Sequence, residues 1–146
     1  MSVSWEPYLR EVPPEVAPHH IQALEQRWGI TLPAEYKQVV SKHQGMTPTP
    51  SLFNIGRGKN VFCVLLTVTH TEQRDSYSVW SGYESLQRYM PPGIYPFGMT
   101  SGGEALCFDY RESPSSSQPS IVLVTVEGDL HRIAGSFADF LDNLHD

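Results

Sequence analysis

The side chains capable of acid–base or nucleophilic chemistry lie at spacings that do not match a familiar active site. Glu104 and Asp109 are five positions apart, so a regular strand would direct their carboxylates to opposite faces. Ser101 is followed two residues later by Gly103, but Met99 stands two residues before it, where the nucleophile turn of an α/β hydrolase needs a second glycine. The segment is therefore interpreted as a turn between two strands.

Phosphate-binding and metal-binding patterns are also missing from the sequence. Segment 56–59 (Gly-Arg-Gly-Lys) lacks the spacing of a phosphate loop, and no helix is predicted directly after it. His19 and His20 are adjacent, and on a helix they point about 100° apart, which makes a shared ion difficult. The sequence contains no CxxC, HExxH or EF-hand pattern. We therefore predict no metal, no cofactor and no enzymatic activity.

The charge balance argues against nucleic acid as a partner. Sixteen carboxylates against ten lysines and arginines give a formal charge of −6, whereas phosphate contacts need clustered cations. Arg74 and Arg88 lie near Trp80, Tyr83 and Tyr89, but aromatic side chains at helical spacing are typical of a core. The acidic residues are scattered, which leaves two interpretations open: a solubilising surface, or an acidic face that attracts a basic partner.

Length and composition predict one domain that works in the cytoplasm. The 146 residues match one hydrophobic core, no run reaches the ~18 apolar residues of a membrane span, and the N-terminal residues do not resemble a secretory signal. Cys63 and Cys107 lie within apolar runs, which predicts reduced, buried thiols, with a disulfide as the alternative.

The first half of the chain predicts a helical hairpin after an irregular lead-in over residues 1–17. Apolar residues recur at helical spacing from Ile21 to Trp28, and Gly29 suits the left-handed position after the helix end. Thr31 is the expected cap of a second helix that ends near Gly45. Residues 46–51 contain two prolines and are predicted to be a loop.

The remainder predicts an α+β fold with a mainly antiparallel sheet flanked by helices. Strands are expected over residues 53–55, 61–69, 94–99, 105–110, 121–127 and 130–133, and helices over 79–89 and after Ser136, which caps the last helix. The Ser/Pro-rich segment 113–120 is expected to be a solvated, mobile hairpin loop.

The chain contains an ordered set of short motifs: Leu24-Glu25, Gly29-Ile30, Leu32-Pro33-Ala34-Glu35-Tyr36-Lys37, Gln44-Gly45, Ile94-Tyr95-Pro96-Phe97-Gly98, Gly102-Gly103-Glu104, Leu106-Cys107-Phe108-Asp109-Tyr110-Arg111 and Ser136-Phe137-Ala138-Asp139-Phe140-Leu141. In this order and at these spacings the sequence resembles the SUKH superfamily, which includes bacterial immunity proteins and yeast cell-wall-synthesis regulators. The likeness runs from about Ile21 to the C-terminus, and we assign residues 18–146 to a SUKH-like domain. Gln44 and Glu104 depart from the asparagine and aspartate common at these positions.

The resemblance implies a twisted sheet flanked by helices, no cofactor, and a role in binding another protein. It implies an immunity protein that neutralises a cognate toxin domain, possibly a basic nuclease, without binding nucleic acid or membrane itself. A regulatory interaction module unrelated to toxins is the alternative, and a small enzyme is a remote third. Because an acidic inhibitor associates faster with a basic partner, the candidate partner contacts are Glu104, Asp109, Tyr110 and Glu112.

Overall fold

The computed structural model describes residues 3–8, 14–69 and 77–146, and within them the chain forms an α+β fold. Arg74, from the basic and aromatic cluster, lies outside the described residues. The elements in chain order are β1 (Ser4–Pro7), α1 (Pro18–Trp28), α2 (Ala34–His43), β2 (Met46–Thr49), β3 (Leu52–Ile55), β4 (Gly58–Leu65), α3 (Val79–Gln87), β5 (Ile94–Thr100), β6 (Ala105–Asp109), β7 (Ser120–Val124), β8 (Leu130–Ala134) and α4 (Phe137–Asp142). The predicted fold class is confirmed.

Six strands form one antiparallel sheet in the order β3-β4-β5-β6-β7-β8. Most consecutive strands are joined by short turns, which favours antiparallel neighbours; α3 is inserted between β4 and β5. Side chains alternate along each strand, so Leu106 and Phe108 of β6 face one side, while Cys107 and Asp109 face the other. We call these the inner and outer faces of the sheet.

The inner face packs against residues of all four helices in one aromatic core. The rings of Phe97 and Phe108 stack with centroids 4.6 Å apart, and Tyr36 of α2 meets Phe108 edge-on at 5.0 Å. Phe137 of α4 meets Phe97 at 5.4 Å. Offset and edge-to-face contacts of this kind add to the burial of apolar area, so these rings fix the helices on the sheet.

The outer face is only partly covered. Leu86 of α3 packs there against Ile94, Cys107, Val122 and Val124, with Met90 and Leu130 at the border of the cluster. The part of the outer face nearer Asp109 and Arg132 forms one wall of an open cleft. The sheet therefore presents one fully packed face and one face that remains partly accessible.

Strands β1 and β2 correct two predictions from the sequence. The segment before Pro18 was expected to be irregular and residues 46–51 a loop, but Trp5 pairs with Pro48 in an antiparallel two-stranded sheet. Proline is tolerated there because a two-stranded sheet leaves one edge of each strand unpaired. Each strand has four residues and neither shows clear alternation, so local patterning did not reveal them.

The start of α2 also differs from the prediction. Helix α2 begins at Ala34, with Pro33 rather than Thr31 in the capping position and without a side-chain cap. The carboxylate of Glu25 instead holds the connection before α2, because it accepts a hydrogen bond from the backbone N–H of Leu32 at 2.7 Å and pairs with Lys37 at 3.0 Å. The two helices of the predicted hairpin are thus joined through one α1 side chain.

Strand β4 ends at Leu65, earlier than predicted. The backbone that follows it is hydrogen-bonded to the side chain of the buried Gln44. The side-chain oxygen of Gln44 accepts hydrogen bonds from the N–H groups of Val68 at 2.9 Å and Thr69 at 3.3 Å. Its amide nitrogen donates to the carbonyl of Pro14. Gln44 is 1% exposed, so it links three distant segments inside the protein.

Both cysteines are free thiols in the structure. Cys107 is fully buried on the outer face, and burial, with the nearby charge of Asp109, raises the pKa of its thiol. Cys63 on β4 is only half-buried, so the prediction of a buried thiol holds for Cys107 alone.

Candidate functional site

The four candidate residues do not form one surface. Glu104 precedes β6 and Asp109 ends it, so five strand residues place them roughly 16 Å apart. Tyr110 and Glu112 follow Asp109, at the C-terminal end of β6. The structure therefore brings Asp109 and Glu112 together and separates Glu104 from them.

The Glu104 carboxylate holds the turn between β5 and β6. Its Oε1 accepts hydrogen bonds from Asn60 Nδ2 at 2.8 Å and from Thr100 Oγ1 at 3.3 Å. The backbone N–H of Glu104 donates in return to Thr100 Oγ1 at 3.1 Å. These contacts tie β4, the β5 end and the β6 start together, so much of this carboxylate is engaged inside the chain.

The carboxylate of Asp109 is paired with the guanidinium of Arg111 in the same chain. Its two oxygens accept hydrogen bonds from Arg111 Nε at 3.0 Å and Nη2 at 2.9 Å, a bidentate arrangement, and its side chain is 12% exposed. Burial alone would raise the pKa of Asp109, but the Arg111 hydrogen bonds and charge, together with the charge of Arg132, lower it. The charge that Asp109 offers to a partner is therefore small.

Tyr110 lies in the core and offers no surface to a partner. Its side chain is 1% exposed, and its hydroxyl donates a 2.6 Å hydrogen bond to the carbonyl of Thr31. Burial, with the charge of Glu25, raises the pKa of this hydroxyl. Strand alternation was the available signal, because Tyr110 shares the parity of Leu106 and Phe108. The candidate surface is corrected by removing Tyr110.

Glu112 is exposed and lines an open cleft of about 400 Å³ on the outer face. We call it the β6–β8 cleft, since strands β6, β7 and β8 contribute side chains and the loop after β6 forms the rim. Its lining residues include Asp109, Arg111, Glu112, Ser113, Ser116, Val122, Leu130 and Arg132. Sequence reasoning missed Arg132 and Leu130, although their spacing of two places both on one face of β8.

The rim of the cleft is a turn held by hydrogen bonds. The N–H of Ser116 donates to the carbonyl of Ser113 at 3.0 Å, and the N–H of Gln118 donates to Ser116 Oγ at 2.9 Å. Gln118 Nε2 also reaches Glu35 of α2 at 3.5 Å. The loop connects β6 and β7 where it was predicted, and its Ser113 and Ser116 line the same cleft as Glu112 and Arg132.

The chemistry of the cleft suits binding by charge and hydrogen bonds. Asp109 and Arg111 neutralise each other, which leaves Glu112 and Arg132 as exposed charges of opposite sign around a partly apolar floor. Among residues 3–8, 14–69 and 77–146, no group of three or more His, Cys, Asp or Glu is placed to hold a metal ion. His20 already uses its Nδ1 to accept from the N–H of Ala17 at 3.1 Å.

Within the described part of the chain, no helix has the length and apolar character needed to cross a membrane.

A comparison with curated proteins returns no match. A family model described as the SMI1 / KNR4 family (SUKH-1) matches residues 15–143, which is nearly the whole chain. The protein therefore belongs to the SMI1 / KNR4 family (SUKH-1).

Proposed function

We propose that this chain is an immunity protein that binds a cognate toxin domain in the cytoplasm and blocks it by protein–protein contact. Family membership supports a role of the immunity or regulatory kind. The observation that carries the proposal is the β6–β8 cleft, where charged and hydroxyl side chains converge on a part of the sheet that α3 leaves uncovered. The proposal requires neither a cofactor nor a catalytic step.

The charges of the cleft support a specific contact rather than a general acidic attraction. Asp109 is already paired with Arg111, so the exposed charges that a partner can meet are the carboxylate of Glu112 and the guanidinium of Arg132. Complementary charges at an interface select the partner and raise the association rate. The net charge of −6 adds long-range attraction toward a basic toxin domain.

A survival assay tests the proposal. The C-terminal domain of the protein encoded immediately upstream is expressed in a test cell, with and without this chain. Killing by the domain alone and restored growth with the chain are the expected results. A domain that is harmless, or that kills despite the chain, would favour the alternative of a regulatory interaction module.

Matched charge reversals then locate the contact surface. Glu112→Lys and Arg132→Glu are each expected to weaken the complex about tenfold. Arg57→Glu is the control, because Arg57 is an exposed residue in the turn between β3 and β4, outside the cleft. Equal losses from Arg132→Glu and Arg57→Glu would place the contact elsewhere.

A further inference from the structure

A second surface lies where the end of α3 meets the turn between β7 and β8. Tyr89 is 51% exposed and Val126 is 71% exposed, which is unusual for large hydrophobic side chains in the described part of the chain. A methyl group on the Cα of Gly128 would lie 3.6 Å from Cδ2 of Tyr89 and 3.9 Å from Cε of Met90. The exposed aromatic ring and the turn that carries Val126 are therefore neighbours. We call this surface the α3 corner.

An apolar pocket opens beside these residues. Its volume is about 340 Å³, and its lining includes Leu86, Met90, Pro92 and Ile94. Met90 belongs both to the pocket wall and to the contact with the β7–β8 turn, so the pocket and the exposed side chains are continuous. An apolar pocket beside an exposed aromatic residue has the composition of interface hot spots.

The turn that presents Val126 is internally fixed. The N–H of Thr125 donates to the carbonyl of Asp129 at 2.9 Å, and the N–H of Gly128 donates to the carbonyl of Thr125 at 3.0 Å. The N–H of Asp129 donates to Thr125 Oγ1 at 3.0 Å, and Gly128 takes the left-handed conformation with φ 92°. Because the backbone of the turn is already held, little backbone entropy is lost when a partner covers Val126.

The charges at the corner select the chemistry of the partner. Glu127 and Asp129 are exposed on the turn, while Glu84 and Arg88 lie one helical turn apart and carry opposite charges. The corner is therefore net negative and complements lysine or arginine. A second copy of the chain fits poorly, because a twofold contact would bring the same acidic turns together.

We propose that the α3 corner binds an amphipathic basic segment of a protein partner. An apolar anchor of that segment enters the pocket beside Met90, a second covers Val126 and Tyr89, and basic residues face Glu127 and Asp129. This surface adjoins the β6–β8 cleft, because Ile94 of the pocket pairs with Asp109 of the cleft. Its exposed side chains are different ones, since Tyr89, Val126 and Glu127 are not among the lining residues of the cleft. The inference does not depend on toxin neutralisation.

Two synthetic peptides of about 14 residues test the proposal by NMR titration of the full chain. Both carry leucines at helical spacing, and they differ only in having lysine or glutamate at the polar positions. The lysine peptide is expected to shift the methyl signals of Val126 and Met90, and the glutamate peptide to bind about tenfold more weakly. No binding, or shifts confined to other surfaces, would overturn the proposal.

Variants separate a specific site from general attraction to an acidic protein. Val126→Ser is expected to weaken the lysine peptide about fivefold, and Glu127→Lys about as much. Glu15→Lys is the matched control, because it makes the same charge change at an exposed residue before α1. If Glu15→Lys weakens the peptide as much as Glu127→Lys, or if Val126→Ser has no effect, the proposal fails.

Discussion

The hydroxyl of Tyr110 donates a 2.6 Å hydrogen bond to the carbonyl of Thr31, 79 residues earlier in the chain. The bond joins the end of β6 to the connection between α1 and α2. Arg111 and Glu112 follow immediately and line the β6–β8 cleft. A buried contact between the sheet and the helices therefore sets where one rim of the cleft begins.

Tyr110→Phe is expected to lower the free energy of unfolding by about 1–1.5 kcal/mol, because the carbonyl of Thr31 loses its donor. Urea denaturation measures the change. Tyr36→Phe is the matched control, since the fully buried Tyr36 hydroxyl has no hydrogen-bond partner among the described residues. Its removal is expected to leave stability unchanged or raise it, and equal losses in the two variants would contradict this account.

Gln44→Leu is expected to cost about 2–3 kcal/mol, because the N–H groups of Val68 and Thr69 would lose their shared acceptor inside the protein. Thermal or urea unfolding measures the loss. Gln38→Leu serves as the control, because Gln38 is exposed on α2, the helix that ends just before Gln44. A Gln44 variant as stable as the Gln38 variant would show that the hydrogen bonds of Gln44 do not stabilise the fold.

The Asp109–Arg111 pair predicts a pH dependence of stability at acid pH. Because the folded pKa of Asp109 is lowered below its ordinary value of 3.8, the pair stabilises the fold above about pH 4. This contribution is lost as the pH falls through the folded pKa. Because the Arg111 side chain is partly exposed and water screens its charge, the stabilisation by this pair is about 1 kcal/mol or less.

Unfolding curves of the parent and of Asp109→Asn, measured from neutral to acid pH, isolate this effect. The parent is expected to be the more stable at pH 7, and the difference in unfolding free energy is expected to shrink below about pH 4. A difference that stays constant across this range would show that ionisation of Asp109 contributes nothing.

His43 predicts a second pH effect in a higher range. Its ring stacks on Trp5 with centroids 5.4 Å apart, and its buried Nδ1 has no hydrogen-bond partner among the described residues. Burial, and then the charge of Lys42, lowers the pKa of His43 below its ordinary value of 6.5. As the pH falls through 6.5, the unfolded chain binds the proton first, so stability is full above this pH and declines below it.

His43→Phe is expected to remove this decline while keeping an aromatic ring against Trp5. The measurement is the free energy of unfolding between about pH 7.5 and pH 5, with Trp fluorescence as the probe. If the parent and His43→Phe respond equally to pH in this window, another group is responsible.

Local signals were sufficient for most of the elements. Gly29 adopts the left-handed conformation and closes α1, as predicted. The Oγ of Ser136 accepts from the N–H of Asp139 at 3.1 Å and caps α4. These features depend on neighbouring residues, and therefore the sequence reveals them. Strands β1 and β2 escaped prediction because their stability depends on pairing between residues about forty positions apart.

The sequence by itself determined the α+β class, the antiparallel second half and the likeness to a known family, because periodicity, caps and short motifs are properties of adjacent residues. Only the tertiary structure decided which candidate residues share a surface. It separated Glu104 from Asp109 and Glu112, and it brought Arg132 of β8 into the same cleft as Glu112. The physical reason is strand pairing, since β8 reaches β6 only through the hydrogen bonds of β7, and local patterning does not encode that arrangement.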